Sequence, residues 1–403
     1  MSHGAILLAA GNSSRMQAAG QAPCKALVPL PVQAGPSTPL ALLCTLYREA
    51  GVEPLVVVGG RHTGAVTAAA RALGAGVAHN LHTEYGMFSS LCVGMRTLLA
   101  QSPGMCGVFV HPVDVPLVRL PSVQALLAAQ VESTVCVPTF AGRRGHPVLV
   151  PSPLLPALLA WEPRPDVAFN TADAPGLRGF MAANPVREVP VADELILHDM
   201  DTPDEYAALC ALATRRHVLD PEEAATLLAL HGLPERGQAH CHAVGLVSAA
   251  FARAVNTARG LRGLTAMLDV QLAHSGGVLH DICKGQPRHE RAGGELLRRL
   301  GLVALAPLVE DHRDLTLPDD APITERELVY LADKFVRGSR PVSLDERFRQ
   351  KRECFAADPA ACEAIKGRQQ RAEALAARLE RECGQSPLAI ARVCLSTAPP
   401  ALD

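Results

Sequence analysis

The sequence predicts a chain of two parts, in which an α/β domain with a mostly parallel, three-layer sheet is followed by an all-helical domain. The first half alternates short apolar runs with helical periodicity, whereas no confident strand pattern follows Tyr206. The 403 residues also exceed what one hydrophobic core usually accommodates. We therefore expect a first domain at residues 1–210 and a second at 220–395, with the boundary between Tyr206 and Asp220.

Short apolar runs bounded by glycine or proline indicate the buried strands of the first half. They fall at residues 5–10, 55–58, 107–110, 134–137 and 147–150. Helical periodicity lies between them, for example over residues 39–50 and 89–100. Because strands that alternate with helices form parallel sheets covered on both faces, the first half is predicted to have three layers.

Helical patterns fill the second half. The predicted helices are 207–216, 221–230, 239–256, 265–282, 288–300, 325–335 and 344–383. Asp220, followed by Pro221, is a typical helix start. The arginine- and glutamate-rich stretch 347–382 is expected to face solvent or a partner, and its basic run 347–352 is interpreted as a solvated helix face rather than an anion site.

Composition excludes several classes of function. Hydrophobic residues make up 48% of the chain and charged residues 19%, which is typical of a folded globular protein. The net charge of −2 argues against a general nucleic-acid binder. The twelve cysteines include no C-x-x-C pair, so we expect reduced thiols in a cytoplasmic protein. The apolar run 5–10 is too short to span a bilayer, so no membrane is expected as a partner.

A loop suited to phosphate binding follows the first predicted strand. Small residues end that strand and a polar run follows them directly, in the order Ala9, Ala10, Gly11, Asn12, Ser13, Ser14 and Arg15. Small side chains allow backbone N–H groups to approach an anion closely, and a following helix N-terminus adds positive potential. An arginine at the end of such a loop can bind two phosphate oxygens at once.

Residues 7–16, LLAAGNSSRM, resemble the L-A-A-G-x-S-S-R-M signature of the MobA-like nucleotidyltransferases, in particular the molybdenum cofactor cytidylyltransferase group. Further segments match in the family's order: Asn80 with EYGMFSS (84–90), HPVDVPLV (111–118), RGHPVL (144–149) and DMDTPDEY (199–206). The resemblance covers about residues 4–210 and implies a Rossmann-like nucleotidyltransferase fold. Its A-A-G form is similar to that of cytidylyl transferases, which implies CTP as the nucleotide.

The resemblance also implies a nucleotide site with Mg²⁺. In it, Arg15 and Lys25 would stabilise the phosphates, and Asp114 with Asp201 would hold the ion, with Asp199 as the alternative second ligand. Asp114 follows a predicted strand at its carboxyl end, where open α/β sheets bind ligands, and carboxylates suit Mg²⁺. The nucleotide-binding set implied by the resemblance is Ala9, Ala10, Gly11, Asn12, Ser13, Ser14, Arg15, Lys25, Asn80 and Ser90.

The second half contains a His-Asp pair in a setting that suggests a metal. His240 shares one helical face with apolar residues such as Val244 and Val247, so it is predicted to point inward. An inward imidazole needs a partner, and a metal ion is one. With the pair at 280–281 and a distant aspartate at 333, residues 220–340 resemble the HD superfamily of metal-dependent phosphohydrolases.

That resemblance implies four metal ligands, which are His240, His280, Asp281 and Asp333. It places Lys284 near the phosphate as a catalytic residue, and it makes His289 and His312 the ligands of a possible second metal. Mixed histidine and aspartate ligands suit Mn²⁺, Fe²⁺, Zn²⁺ or Mg²⁺.

Together, the two resemblances imply an enzyme of molybdenum cofactor maturation. Its first domain would transfer CMP from CTP to molybdopterin with release of pyrophosphate. Its second domain would be a phosphohydrolase whose substrate the sequence does not identify. One alternative is a sugar-phosphate or alditol-phosphate acceptor, with the second domain as a nucleotide- or metal-sensing module. In a further alternative, the second half is a docking platform, and the helix predicted at 344–383 binds the molybdoenzyme that receives the cofactor.

Overall fold

The computed structural model describes residues 2–11, 24–32, 35, 37–60, 63–162, 176–315 and 321–397. The chain divides into two compact units, Met1–Arg216 and His217–Asp403. Within the described ranges, no helix has an apolar stretch long enough to cross a membrane.

An eight-stranded mixed sheet forms the centre of the N-terminal unit. Its strands are β1 (His3–Ala9), β2 (Leu55–Gly59), β3 (Gly76–His79), β4 (Gly107–Pro112), β5 (Val135–Phe140), β6 (Arg143–Arg144), β7 (Val148–Pro151) and β8 (Val186–Pro190). Their order is β3-β2-β1-β4-β7-β5-β6, and β8 pairs with β5. Strands β1 to β4 are parallel, whereas β7 runs antiparallel to both β4 and β5. Because Ala9 pairs with Gly59 and Leu8 with Pro112, the carboxyl ends of β1, β2 and β4 meet at one edge.

Helices cover both faces of this sheet. They are α1 (Pro39–Glu49), α2 (Gly64–Ala72), α3 (Met87–Gln101), α4 (Leu120–Ala129), α5 (Leu155–Ala160), α6 (Gly176–Ala182) and α7 (Pro203–Arg215). Side chains alternate along β1, so Leu7 packs in the core that contains α1, α2 and α4, while Leu8 packs in the core that contains α3. The predicted three-layer α/β class is therefore confirmed for this unit.

Three strands of the sheet were not predicted from the sequence. Strands β3, β6 and β8 lie at the margins of the sheet order, and their residues are largely half-buried or exposed. Such strands lack the continuous apolar run by which buried strands are found. The five predicted strands and both predicted helices are present, with ends that differ by at most three residues.

Among its described residues, the C-terminal unit has helices and one short hairpin. Its helices are α8 (Pro221–Leu230), α9 (Glu235–Leu261), α10 (Val270–Leu279), α11 (His289–Arg299), α12 (Ala306–Glu310), α13 (Glu325–Phe335), α14 (Leu344–Cys354), α15 (Pro359–Cys383) and α16 (Pro387–Thr397). The hairpin pairs β9 (Val336–Arg337) with β10 (Arg340–Pro341). A core from helices α9, α10 and α13–α16 includes Val244, Phe251, Tyr330 and Phe348.

The single helix predicted at 344–383 is wrong, because two helices occupy this stretch. Helix α14 ends at Cys354, and α15 begins at Pro359 after the Asp358 side chain accepts a 3.0 Å hydrogen bond from the Ala361 N–H. A proline cannot continue the helix that precedes it, and it restricts the residue before it. The chain therefore bends between these two helices.

Helices α9 and α10 cross at two glycines. A Cβ atom on Gly277 would lie 2.7 Å from Gly245 Cα and 2.9 Å from Gly245 N, which is far inside van der Waals contact. The two backbones can therefore approach this closely only without side chains. The crossing matters for function because His240 lies on α9 and His280 directly follows α10.

Candidate active sites

The predicted phosphate loop starts at the carboxyl edge of the N-terminal sheet. Ala9 and Ala10 are buried at the end of β1, and Gly11 is exposed just beyond them. A Cβ on Gly60, which follows β2, would lie 2.8 Å from the Ala10 carbonyl oxygen, so the two strand ends are closely packed. The residues Asn12, Ser13, Ser14 and Arg15 lie outside the described part of the chain, and their roles remain predictions.

Acidic side chains and a lysine gather near this edge. Lys25 forms an ion pair with Asp201, and Asp114 lies two residues beyond β4. Burial raises the pKa of Asp114, and the negative charges of Asp201 and Asp199 raise it further, while Lys25 acts in the opposite direction. These carboxylates therefore repel one another in the absence of a cation, and a divalent ion would relieve the repulsion.

A buried histidine positions the loop that carries Asp114. His111 Nε2 lies 2.9 Å from the Val115 carbonyl oxygen, so it donates, and Nδ1 then accepts from the Tyr47 hydroxyl at 2.9 Å. This pair of bonds requires the neutral imidazole. Burial lowers the pKa of His111 to about 3, which keeps the ring neutral.

Asn80 and Ser90, both predicted to bind nucleotide, bond to each other. The Asn80 amide donates to the hydroxyls of Ser89 at 2.8 Å and Ser90 at 2.9 Å, and its carbonyl accepts from the His82 N–H at 2.8 Å. Both amide hydrogens of Asn80 are thus used inside the protein. In this structure these residues order the loop between β3 and α3, and their contact with a nucleotide remains a prediction.

In the C-terminal unit, the structure brings the predicted metal ligands together. Two sets of buried donor atoms lie within 4.8 Å of one another: His240, His280 and Asp333 in the first, and His280, Asp281 and His312 in the second. His280 belongs to both. His289 joins them through a 3.2 Å approach of its Nε2 to Asp281 Oδ1. Residues from five separate segments of the unit therefore converge on one point.

Three imidazoles of this cluster are oriented in the same way. Each directs Nδ1 at a backbone carbonyl oxygen: His240 at Gly338 (3.1 Å), His280 at Gly277 (2.7 Å) and His312 at Val309 (2.6 Å). Their Nε2 atoms then face the carboxylates at 3.3–3.8 Å, and the buried Nε2 of His280 has no hydrogen-bond partner. Metal-binding histidines typically donate one ring N–H to a carbonyl and offer the other nitrogen to the ion.

The protonation states of Asp281, Asp333 and His312 suit a metal, whereas Cys241 and Asp281 raise the pKa of His280 against the opposing effect of burial. Burial opposes ionisation of Asp281 and Asp333, but surrounding donors outweigh it and lower both pKa values. His280 and Lys284 act on Asp281, whose Oδ2 lies 2.5 Å from Lys284 Nζ. Burial also lowers the pKa of His312 to about 3. Ionised carboxylates and a neutral imidazole are the forms that bind metal ions.

Asp333 is held by two cations that the sequence did not single out. The buried Lys334 places Nζ 2.7 Å from Asp333 Oδ2 and donates at 2.8 Å to the His312 carbonyl oxygen. Arg347 from α14 reaches Asp333 Oδ1 at 3.2 Å. The only sequence signal for Lys334 is that it directly follows the predicted ligand.

A cavity of about 450 Å³ opens over the cluster. Its lining includes most of the predicted ligands and many basic and apolar residues, which are His240, Asp281, Lys284, His289, His312, Arg313, Asp333, Lys334, Arg347, Phe348, Lys351, Phe355, Ala361, Ala364, Ile365 and Arg368. Arg347 and Lys351 belong to the basic run that was interpreted as a solvated helix face. That interpretation is wrong for Arg347, which is half-buried and pairs with Asp333, whereas Lys351 is exposed and also lines the cavity.

Comparison with known proteins agrees with this division. Residues 5–185 match the family model of the MobA-like NTP transferase domain, and residues 237–338 match that of the HD domain. No curated protein sequence matched the chain.

Solved structures similar to this chain align with about half of it. Rv0371c from Mycobacterium tuberculosis H37Rv is 24% identical over 52% of this chain and 98% of its own, with a TM-score of 0.41. A nucleotidyl transferase from Methanothermobacter is 21% identical over 53% and 98%, with a TM-score of 0.43. The CTP:phosphocholine cytidylyltransferase of Streptococcus pneumoniae is 14% identical over 53% and 99%, with a TM-score of 0.37. From the two family matches, this protein is an enzyme that joins a MobA-like NTP transferase domain to an HD domain.

Proposed function

We propose that the N-terminal unit transfers CMP from CTP to the phosphate of molybdopterin, with Mg²⁺ bound between Asp114 and Asp201. The support is the cluster of Asp114, Asp199, Asp201 and Lys25 beside the carboxyl ends of β1 and β4, in a domain of the MobA-like family. Open α/β sheets bind ligands at this edge. Mg²⁺ bound there would neutralise phosphate charge.

The chemistry of this step is nucleotidyl transfer. An acceptor phosphate oxygen bonds to the α-phosphorus of CTP, the bond from that phosphorus to the oxygen bridging to the β-phosphorus breaks, and pyrophosphate leaves. Such reactions depend on positioning and charge neutralisation. Lys25 lies where it can move from Asp201 to a phosphate oxygen, and the neutral His111 keeps the Asp114 loop in place.

The test is pyrophosphate release by the full chain. With Mg²⁺ and molybdopterin, CTP should release pyrophosphate, and Asp114→Asn should reduce the rate more than about 100-fold. Asp204→Asn is the matched control, since Asp204 is exposed on α7. Pyrophosphate release with a sugar phosphate or an alditol phosphate, but not with molybdopterin, would identify that compound as the acceptor instead. No release from any nucleoside triphosphate would refute it.

For the C-terminal unit, we propose metal-dependent hydrolysis of a phosphate ester or anhydride. The observation that carries this proposal is the convergence of three Nε2 atoms and two ionised carboxylates on one buried point beneath the cavity. His240, His280, Asp281 and Asp333 would hold one divalent ion, and His289 with His312 would take part in binding a second. A bound ion would polarise the phosphoryl group and lower the pKa of water.

The protein's own residues supply the remaining functions of this site. Lys284 lines the cavity and is half exposed, so it can move from Asp281 to a phosphoryl oxygen. Lys334 and Arg347 fix the Asp333 carboxylate and keep it ionised.

Metal binding and phosphate release together test this proposal. His280→Ala and Asp281→Ala should lose bound Mn²⁺ and any phosphate release from nucleotides, whereas His242→Ala should keep both. His242 is the matched control, because it lies on α9 two residues from His240 without lining the cavity. If wild-type protein binds metal but releases no phosphate, and the substitutions alter pyrophosphate release by the N-terminal unit, the HD domain is a sensing module. Retention of full metal content by both variants would refute the site.

A further inference from the structure

The cavity over the metal cluster is completed by helices that lie beyond the HD match. That match ends at residue 338, whereas α14 and α15 contribute Arg347, Lys351 and Arg368 to the lining. The bend between Cys354 and Pro359 turns α15 back so that both helices face the same cavity. These helices therefore add features to the site that the matched domain does not contain.

The charge of the lining is strongly positive. Six cationic side chains line the cavity, namely Lys284, Arg313, Lys334, Arg347, Lys351 and Arg368, against the carboxylates of Asp281 and Asp333 alone. Arg313 and Arg368 also pair with Glu290 and Asp314, at 3.6 and 3.4 Å, so an excess of two positive charges remains, and a divalent ion at the cluster would raise it to four. A single phosphate group carries at most about two negative charges near neutral pH. With the ion bound, the cavity would thus have more positive charge than one phosphoryl group can neutralise.

Two of these cations are available to a ligand away from the metal cluster. Lys351 pairs with no carboxylate among the described residues. Its Nζ lies 6.0 Å from the centre of the Phe348 ring. Arg368 is half-buried and has one 3.4 Å contact, from its Nε to Asp314 Oδ2, which leaves the other nitrogens of its guanidinium group for a ligand. The buried Nε of Arg347 also has no hydrogen-bond partner.

The lining also contains an apolar wall. This wall is formed by Phe348 on α14 and by Phe355, which directly follows that helix. Helix α15 adds Ala361, Ala364 and Ile365. A volume of about 450 Å³ is larger than inorganic phosphate requires and lies in the range of small-molecule ligand sites. An organic group can therefore contact this wall while anionic groups contact the cations.

We propose that the HD unit acts on an organic diphosphate or triphosphate, such as a nucleoside polyphosphate, rather than on a phosphate monoester. The terminal phosphoryl group binds at the metal cluster and Lys284, and the next one binds at Arg347, Lys351 and Arg368. In the reaction, a water oxygen bonds to the terminal phosphorus and the bridging P–O bond breaks. The shortened phosphate leaves with the bridging oxygen, and the proton of water passes to solvent.

This proposal rests on the hydrolytic function proposed above, but its test does not require turnover. Calorimetry on the full chain in EDTA compares methylenediphosphonate, whose P–C–P bridge resists hydrolysis, with methylphosphonate. The double substitution Lys351→Gln and Arg368→Gln should weaken methylenediphosphonate binding about 10–100-fold and methylphosphonate binding less than about 3-fold. The control is Arg349→Gln with Arg381→Gln, which removes two exposed charges from the same helices outside the cavity.

The outcomes separate the two proposals. A selective loss of the diphosphonate in the cavity variant supports the second anion site, whether or not the wild-type protein releases phosphate. Equal loss of both probes, or an equal loss in the control variant, would overturn it. Phosphate release from nucleoside monophosphates as fast as from diphosphates and triphosphates would overturn the substrate class even where the hydrolytic function holds.

Discussion

The close crossing of α9 and α10 is expected to determine both the stability of the HD unit and its metal affinity. The perturbation is Gly277→Ala. The added Cβ would lie 2.7 Å from Gly245 Cα and 2.8 Å from Ser248 Oγ, whereas carbon atoms in contact are normally separated by about 3.5–4.0 Å. The first contact is with backbone, so no rotamer change can relieve it. The helices must therefore separate by about 1 Å.

The magnitude follows from two opposing effects. Overpacking of a core costs about 1–3 kcal/mol, and alanine regains about 1 kcal/mol of helix propensity over glycine. We expect a net destabilisation of up to about 2 kcal/mol. Separation of the helices also moves His280 away from His240, and ligand sets tolerate only about 0.5 Å of misplacement. Metal affinity should fall about 10–100-fold.

The assay uses the two units as internal references. The only tryptophan, Trp161, lies in the N-terminal unit, so its fluorescence reports unfolding there, while far-UV circular dichroism reports both units. Gly277→Ala should shift the circular dichroism transition in urea and weaken Mn²⁺ binding, with the Trp161 transition unchanged. Gly260→Ala is the control, because its Cβ would meet only Met267 Cε at 3.8 Å, and it should stabilise by up to about 1 kcal/mol. Unchanged stability and metal affinity in Gly277→Ala would refute the reasoning.

Three further predictions concern single interactions. Asp193→Ala should lower the free energy of unfolding of the N-terminal unit by about 3–5 kcal/mol, because it breaks the buried ion pair with Arg119. The Trp161 transition in urea measures this change, and a decrease below about 1 kcal/mol would contradict the prediction. Partial desolvation of the Lys351 ammonium group, together with repulsion from Lys334, lowers the pKa of Lys351 to about 8. The affinity for methylenediphosphonate, measured by calorimetry, should therefore fall as the pH rises through 8, and Lys351→Arg should abolish that fall. Removal of metal with EDTA should lower the midpoint of the circular dichroism transition, and Mn²⁺ at about 100 times its Kd should restore about 2.7 kcal/mol in wild-type protein but not in Asp281→Ala.

The residues that the structure brings together in the HD cluster have local signals in the sequence. The pair His280–Asp281 is adjacent in the chain, and the helical phase of His240 placed it inward, where the structure has it. The same holds for α13, whose predicted bounds agree with the structure and which carries Asp333. These residues are buried by helix faces that a pattern of apolar residues reveals.

The basic wall of the cavity could not be predicted in this way. Arg347 and Lys351 lie in a run that is polar apart from Phe348, and such a run is more often a solvated helix face. Arg368 lines the same cavity from α15, which follows the bend before Pro359 and packs in a core shared with α13. Contacts between segments are set by tertiary structure, which one sequence does not display.

A similar limit applies to the N-terminal unit. The order of its motifs indicated the fold, and Asp114 lies beyond the strand expected to carry it. The hydrogen bond between Asn80 and Ser90 joins residues 10 positions apart, and the one that orients His111 against Tyr47 joins residues 64 positions apart. No local pattern in the sequence signals such pairs.

The central claim is that this chain binds divalent ions at two separate phosphate-handling sites. Anomalous diffraction from crystals of the full chain grown with Mn²⁺ and CTP tests it most directly. We predict one anomalous peak among His240, His280, Asp281 and Asp333, and a second between Asp114 and Asp201 beside the triphosphate. Absence of a peak at the histidine cluster, or a nucleotide bound away from Asp114, would contradict the account.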